Sequence, residues 1–276
     1  SRKGFGSSSK RGGIEAMAGQ YSRAARAVGS PAMEDLEAAP GAPAEPAPSH
    51  CPAAEGAVSG ALEPLGPELY RQPAPGLARE LLGRYLVRRL PGGERLVLRL
   101  VETEAYQGEG DRASHAWAGP VTPRSRRLYR EGGHAYVYLI YGMHHCLNAV
   151  AGSAADGQAV LLRAGEPVAG EERMRALRGL GSDAGRRRRS AAGRPLRPGE
   201  LAGGPGRLCQ ALAVDRSFDG TPLWEGDLVI ARGEPVEDAE VGRGPRVGVT
   251  YAGEAAGWPL RFAIRGNPHV SRPHPT

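Results

Sequence analysis

The stretch Arg95-Leu-Val-Leu-Arg-Leu-Val-Glu-Thr-Glu-Ala-Tyr106 decides the fold, because its side chains alternate in character from one residue to the next. A period of two predicts a β-strand. Leu96, Leu98 and Leu100 are expected to share one face. Pro91-Gly-Gly-Glu94, directly before the stretch, predicts a turn. The chain therefore enters this strand from a hairpin connection, which favours an antiparallel neighbour.

The end of the same strand carries candidate catalytic carboxylates. Glu102, Glu104 and Tyr106 occupy alternate positions, so their side chains are predicted to point in one direction. Two carboxylates at this spacing lie roughly 7 Å apart, and partial burial would raise the pKa of one toward the range of a general base. For Glu102, exposure to water or pairing with arginine is the expected state. The nearby aromatic residues make Glu104 the candidate base.

A second stretch, Tyr136-Val-Tyr-Leu-Ile-Tyr-Gly-Met-His-His-Cys-Leu-Asn148, is rich in tyrosine. Tyr136 and Tyr138 are predicted to share a strand face. Tyr141, just before Gly142, suits a hairpin tip from which an aromatic side chain can wedge into DNA. Core packing is the alternative for all three tyrosines. We expect it for Tyr136, while composition leaves both readings open for the other two.

Composition favours one basic domain after a disordered tail. The chain has 276 residues, a net charge of +6 and a pI near 9.5. Residues 1–66 are dense in Ala, Gly, Pro and Ser and predict disorder, whereas residues 67–276 hold 30 basic and 23 acidic side chains. That excess is compatible with a nucleic-acid partner. The only lysines are Lys3 and Lys10, which excludes lysine Schiff-base chemistry from the domain.

The remaining patterns predict a single α+β domain with a mainly antiparallel sheet flanked by helices. Most predicted strands are joined by turns rather than by helices. A short helix is expected around Leu77, Leu81 and Leu82, ending near Gly83. Further helices are predicted at 171–178 and 207–212, and strands at 84–90, 95–106, 136–140, 159–163, 246–250 and 260–265.

No feature of the sequence predicts a metal, a cofactor or a membrane. Three adjacent residues, His144-His-Cys146, cannot easily surround one ion on a strand, because successive side chains point to opposite faces. The three cysteines are widely spaced and suggest free thiols in a reducing compartment. No apolar run reaches the ~20 residues of a membrane helix. We expect a monomer inside the cell, in bacterial cytoplasm or, for a eukaryotic source, in the nucleus.

Taken together, the motifs resemble the alkyladenine (3-methyladenine) DNA glycosylase family. The similarity covers roughly residues 69–271, and the tyrosine motif is more similar to bacterial than to mammalian members. It is carried by Val101–Tyr106, Ala113–His115, Thr122–Arg124, Tyr136–Asn148, Val160–Pro167, Gly204–Leu212 and Arg246–Gly253. The runs that flank His115, at 107–111 and 116–121, depart from the family pattern.

The resemblance implies a curved antiparallel sheet and hydrolysis of the N-glycosidic bond to damaged purines in double-stranded DNA, without a cofactor. It implies that Glu104 is the general base. It implies the following further roles: Tyr106, His115 and Tyr138 sandwich the flipped base, Asn148 disfavours guanine, Tyr141 fills the gap in the duplex, Met143 contacts DNA, and Arg163 lies near the catalytic water and the DNA backbone.

Two other functions compete with this one. A carbohydrate glycosidase would use Glu102 and Glu104 as a carboxylate pair, although their spacing leaves little room for a sugar. A non-catalytic protein that binds damaged DNA would need the aromatic residues but no base. The arginine run Arg186–Arg189 predicts a solvated, mobile loop, with phosphate contact as the lesser alternative.

Overall fold

A curved antiparallel sheet organises the chain in a computed structural model, which describes residues 62–119, 122–180 and 196–275. The strand order is β3-β4-β5-β2-β1-β6, and β8 also pairs with β2 and with β7. The strands are β1 Tyr85–Arg89, β2 Arg95–Tyr106, β3 Ala135–Ile140, β4 His144–Ala151, β5 Gln158–Ala169, β6 Leu228–Ala231, β7 Val241–Gly244 and β8 Arg261–Ile264.

Short helices cover the sheet. The α-helices are α1 Ala74–Glu80, α2 Glu171–Leu177 and α3 Pro205–Ala211. Helix α1 packs on β2 and β5, and α3 packs on β4 and β5. A proline at the first turn of α1 and of α3 lacks only an N–H group that the helix does not use. The 3-10 helices lie at Pro67–Arg71, Ser125–Leu128, Arg216–Phe218, Asp238–Glu240 and Thr250–Gly257.

Strand β2 lies at the centre of the sheet and changes face at a β-bulge. Its even-numbered residues Leu96, Leu98 and Leu100 belong to the main hydrophobic core. The pairing of β2 with β5 shifts register between positions 100 and 102, and beyond that point the odd-numbered Val101 and Ala105 belong to the core instead. A bulge inserts one extra residue, which explains the change of face. The even-numbered side chains at 102, 104 and 106 are thereby directed away from the core.

A smaller apolar cluster covers the other face of β1 and β2, where Val87, Val97 and Val229 are buried together. Residues 62–66 pair with β6, although the sequence predicts them to be part of the disordered tail. The backbone N–H of Leu65 donates to Ile230 O at 2.8 Å. The described part of the domain thus includes this short segment, while residues 1–61 lie outside the described residues.

Most predicted elements are confirmed, including β1, β2, β3, β5, β8 and all three helices, and Tyr136 is buried as expected. The predicted strand at 246–250 is wrong. Gly248 has φ +78, which breaks an extended backbone, and Arg246 uses its side chain to bind three backbone or carboxylate groups. Strand β4 and the four-residue strands β6 and β7 were not among the predicted strands. Arg186–Arg189 lies outside the described residues. No helix among the described residues is long and apolar enough to cross a membrane.

Gly83, just after α1, allows a close backbone approach that a side chain would block. Its φ is +82, and an added Cβ would lie 2.2 Å from Glu234 O. Gly93 has a similar φ of +89 with nothing within 4 Å. We expect Gly93→Ala to lower the free energy of unfolding by about 1 kcal/mol through backbone strain. Gly83→Ala should cost about 3 kcal/mol or more, because the clash adds to the strain. Urea unfolding measures both, and equal losses would contradict the close approach.

Candidate active site

Glu102 anchors two arginines in the interior beside β2. Its Oε1 atom accepts hydrogen bonds from Nε of Arg163 at 2.8 Å and from Nε of Arg261 at 2.7 Å. Ser271 donates its backbone N–H to Oε2 at 2.7 Å and its hydroxyl to Oε1 at 2.9 Å. The carboxylate is fully buried and accepts four hydrogen bonds, so pairing with arginine is confirmed for this residue. Glu102 is therefore a structural anchor with little capacity left for a ligand.

Glu104 is equally buried but accepts fewer hydrogen bonds. Its Oε1 atom accepts the backbone N–H of Val247 at 2.7 Å and lies 3.2 Å from Nη1 of Arg163. Its Oε2 atom accepts the hydroxyl of Tyr106 at 2.9 Å. Because Arg163 lies between the two glutamates, its charge offsets the repulsion expected of a buried carboxylate pair. Each carboxylate oxygen can accept two hydrogen bonds, so Oε2 retains acceptor capacity.

Arg163 stays charged in this setting. Burial lowers the pKa of Arg163, but Glu104 and Glu102 raise it by more, so the pKa lies above its ordinary value. The side chain extends from β5, the direct neighbour of β2. The site thus holds a fixed cation in contact with the candidate base.

Tyr106 forms one wall of the site and rests on a buried ion pair. The guanidinium of Arg246 lies over the Tyr106 ring, 4.7 Å from its centroid. Arg246 binds Asp111 through two contacts of 2.5 and 2.8 Å, and both side chains are fully buried. Burial first, and then the charge of Glu104, raise the pKa of Tyr106 well above its ordinary value. The hydroxyl therefore stays protonated and donates a hydrogen bond to Glu104.

The loop that presents His115 is held by Asp111. This carboxylate accepts the backbone N–H of Gln107 and of Ala113, each at 3.0 Å. The Nδ1 atom of His115 lies 3.0 Å from the Tyr136 hydroxyl, which also accepts Nε–H of Arg124 at 3.1 Å. Because Arg124 occupies one lone pair of this hydroxyl, donation of the Tyr136 proton to Nδ1 is favoured, and with it the tautomer that carries its proton on Nε2.

The charge state of His115 follows from its surroundings. Desolvation first, and then the charge of Arg124, lower the pKa of His115 below its ordinary value. The residue as a whole is exposed at the surface. At neutral pH the ring is neutral and offers Nε2–H as a donor.

Tyr138 and Asn148 complete the wall on the side of β3 and β4. The Tyr138 ring lies 4.7 Å from the His115 ring, edge to face. The guanidinium of Arg124 lies 4.5 Å from the Tyr138 ring centroid. Asn148 is opposite Tyr136 in the β3–β4 register, and its Nδ2 atom donates to Tyr136 O at 3.0 Å. Its amide is therefore held in one orientation, and 4% of the residue is exposed.

The tip of the β3–β4 hairpin exposes two apolar residues. Tyr141 is 65% exposed and has φ +52, and Met143 is 67% exposed. The predicted hairpin tip at Tyr141-Gly142 is confirmed, since a turn connects the two strands here. Both side chains lie at the surface. They project from the same hairpin that carries Tyr138 and Asn148.

The described residues contain no group of three His, Cys, Asp or Glu side chains that could hold a metal ion. In the run His144-His-Cys146, Nδ1 of His144 lies 3.5 Å from Nε2 of Gln210, and Cys146 is buried. The histidines and the cysteine are therefore dispersed over different surroundings.

Sequence reasoning did not identify the arginines that complete the site, Arg124, Arg246 and Arg261. One signal was present for Arg261, because it stands in the apolar strand Arg261-Phe-Ala-Ile264. A charged residue in a buried strand needs a partner of opposite charge. The partner itself was not predictable, since Glu102 and Arg261 are separated by 159 positions.

Comparison with known proteins agrees with this architecture. The sequence profile of the family described as Methylpurine-DNA glycosylase (MPG) matches residues 68–268. A protein from Homo sapiens named DNA-3-methyladenine glycosylase is 48% identical over 214 residues, which are 77% of this chain and 69% of that protein. The Mus musculus protein of the same name is 48% identical over 210 residues, 75% of this chain and 61% of its own length.

The match spans less than two thirds of the mouse relative, but it nearly fills a bacterial one. The relative from Myxococcus xanthus is 44% identical over 211 residues, which are 76% of this chain and 95% of the relative. The family profile covers most of the described residues, including the candidate site from Glu102 to Arg261. On these matches, the chain belongs to the methylpurine-DNA glycosylase family.

Proposed function

We propose that this protein excises alkylated or deaminated purines from double-stranded DNA by hydrolysing the N-glycosidic bond, leaving an abasic site. The lesions are those of the 3-methyladenine, 7-methylguanine, hypoxanthine and ethenoadenine class. The observation that carries the proposal is the buried Glu104 carboxylate, which is in contact with Arg163 and is hydrogen-bonded to Tyr106 at the edge of an aromatic wall. Family membership supports the same activity.

In this proposal Glu104 accepts a proton from the attacking water. The Oε2 atom has capacity for one further hydrogen bond, and the fixed Arg163 cation orients the water and lies near the DNA backbone. Water adds to the sugar carbon as the bond to the base breaks, and the bonding electrons leave with the base. A purine methylated at N3 or N7 already carries a positive charge, so its departure needs no added acid, whereas a neutral lesion such as hypoxanthine or ethenoadenine must gain a proton as it leaves.

The flipped base stacks among Tyr106, His115 and Tyr138. Stacking on aromatic side chains contributes about 1–3 kcal/mol per base. Asn148, fixed by its bond to the Tyr136 carbonyl, disfavours guanine by crowding its 2-amino group. Tyr141 fills the gap left in the duplex, and Met143 contacts DNA beside it. The exposure of both residues at a hairpin tip supports this role.

The competing functions fit the site less well. A carbohydrate glycosidase needs two available carboxylates, but Glu102 already accepts four hydrogen bonds from buried donors. A non-catalytic DNA binder would need the aromatic wall but no base, whereas Glu104, unlike Glu102, accepts few hydrogen bonds and retains acceptor capacity at Oε2. The following experiment separates a non-catalytic DNA binder from the proposed enzyme.

Glu104→Gln should abolish base release while damaged-duplex affinity stays within about tenfold, or ~1.4 kcal/mol. The amide cannot accept the proton of the attacking water, but it leaves the aromatic walls in place. Single-turnover assays with 7-methylguanine and hypoxanthine duplexes measure release, and a gel-shift titration measures affinity. Glu254→Gln, an exposed glutamate near the site, serves as the control. Near-normal turnover by folded Glu104→Gln protein would exclude Glu104 as the base.

We expect a monofunctional enzyme that does not cut the DNA strand. The only lysines are Lys3 and Lys10, so residues 67–276 cannot form a lysine Schiff base with the sugar. Borohydride should trap no covalent protein–DNA adduct during turnover, and strand breaks should appear only after alkali is added. An adduct that maps by mass spectrometry within residues 67–276 would show that the nucleophile is not water.

Tyr141→Ser should reduce excision from intact duplex with little change in melting temperature, because the side chain is exposed. Excision should fall less when the target base is mispaired, since flipping is then less costly. Tyr70→Ser is the stability control. Tyr70 is fully buried away from the site, and its truncation should cost about 3–5 kcal/mol. A melting-temperature loss for Tyr141→Ser as large as that for Tyr70→Ser would place Tyr141 in the core.

A further inference from the structure

Both tyrosine walls of the candidate base site carry a guanidinium on their rings. Arg246 lies 4.7 Å from the Tyr106 ring centroid, and Arg124 lies 4.5 Å from the Tyr138 ring centroid. At this distance a cation occupies one face of an aromatic ring. A base that stacks on either tyrosine therefore uses a ring that already carries a cation on its other face.

The two arginines differ in how their charge is compensated. Arg246 is paired with Asp111 through two short contacts, so the pair is neutral as a unit. Arg124 makes no salt bridge within the described chain. Its contacts there are the Tyr138 ring and the neutral hydroxyl of Tyr136, to which its Nε–H donates at 3.1 Å. The carboxylate that lines the same cavity, Asp219, pairs with Arg127, so Arg124 acts on the Tyr138 ring without an ion pair of its own.

The buried charges of the site otherwise balance. Three acidic and three basic side chains contact one another there, namely Glu102, Glu104, Asp111, Arg163, Arg246 and Arg261. Arg124 adds one positive charge to a set that is already neutral. It also reaches His115, because its charge disfavours a second proton on that ring. A ligand at this wall therefore meets a net positive charge.

We propose that Arg124 is a specificity-determining residue that weakens binding of purines with a formal positive charge relative to neutral damaged purines. The inference rests on the proposed function, which puts the base against Tyr138. A base stacked on the free face would lie roughly 8 Å from the guanidinium, the 4.5 Å to the ring centroid plus ~3.5 Å of stacking. Arg124 is itself exposed, so water screens part of this repulsion, and we expect it to change an equilibrium constant by about three- to tenfold.

Arg124 also affects which hydrogen bonds His115 can make. By donating to the Tyr136 hydroxyl, it leaves the Tyr136 proton for His115 Nδ1 and so keeps Nε2–H as a donor. A neutral purine has ring nitrogens that can accept a hydrogen bond, whereas alkylation removes an acceptor as it adds the charge. Both effects of Arg124 therefore favour neutral lesions.

The test compares dissociation constants for duplexes with a cationic or a neutral lesion. The two lesions are 7-methylguanine and ethenoadenine, each on a 2′-fluoro sugar whose glycosidic bond breaks slowly, so that the full-length wild-type chain and its variants can be compared without turnover. Arg124→Met removes the charge and keeps the length of the side chain. Arg124→Lys keeps the charge, and Arg127→Met removes a nearby charge that pairs with Asp219 instead of a site ring.

We expect Arg124→Met to shift the affinity ratio about three- to tenfold toward 7-methylguanine, while Arg124→Lys and Arg127→Met leave it within about twofold. The clash of guanine with Asn148 is the same in every variant and cancels. Equal loss of affinity for both lesions in Arg124→Met would overturn the proposal and reduce Arg124 to a DNA contact. An equal shift in Arg124→Lys would overturn it as well, because geometry rather than charge would then be responsible.

Failure of this inference is distinguishable from failure of the proposed function. Release of 7-methylguanine and ethenoadenine from ordinary deoxyribose duplexes by the wild-type chain tests the function alone. If both are released and the ratio in Arg124→Met is unchanged in a protein with a normal melting temperature, only the role of Arg124 is wrong.

Discussion

The β-bulge in β2 between positions 100 and 102 is the constraint on which the rest of the structure depends. Without it, the face that buries Leu96, Leu98 and Leu100 would continue into Glu102 and Glu104, and two carboxylates would enter a hydrophobic core. Burial of an unpaired charge costs several kcal/mol, so that arrangement would not persist. The extra residue reverses the alternation and turns both carboxylates toward β5 and β8, where arginines meet them.

The buried carboxylates need positively charged partners, and arginines on distant strands provide them. Arg163 extends from β5 and Arg261 from β8 to the same oxygen of Glu102. Removing one partner of such a buried pair typically costs about 3–5 kcal/mol, because it leaves the other charge uncompensated. The network therefore fixes the position of Arg163 against Glu104. In the proposed function this fixed geometry is what lets one carboxylate serve as an anchor and its neighbour as a base.

Local patterns predicted the strands and the hairpin tip, but the chemistry of the site needed contacts that no local pattern contains. Alternation in Arg95–Tyr106 correctly put residues 102, 104 and 106 on one face. It did not predict the bulge, because the register shift is a property of the pairing of β2 with the distant strand β5. The pairing of Arg163 with Glu102 joins positions 61 apart. The strand predicted at 246–250 is wrong for the same reason. The Arg246 side chain binds partners that are distant in sequence, and residues 246–250 form no strand.

The inner part of the β3–β4 hairpin carries residues of the candidate site, whereas its tip is exposed. The strands β3 and β4 pair over six positions and hold Tyr138 and Asn148 against the core, so the inner part is rigid. The tip leaves Tyr141 in a left-handed conformation, which costs a non-glycine residue about 1–2 kcal/mol. It also leaves two large apolar side chains in water. A partner that covers the tip would offset both costs, and in the proposed function that partner is the opened duplex.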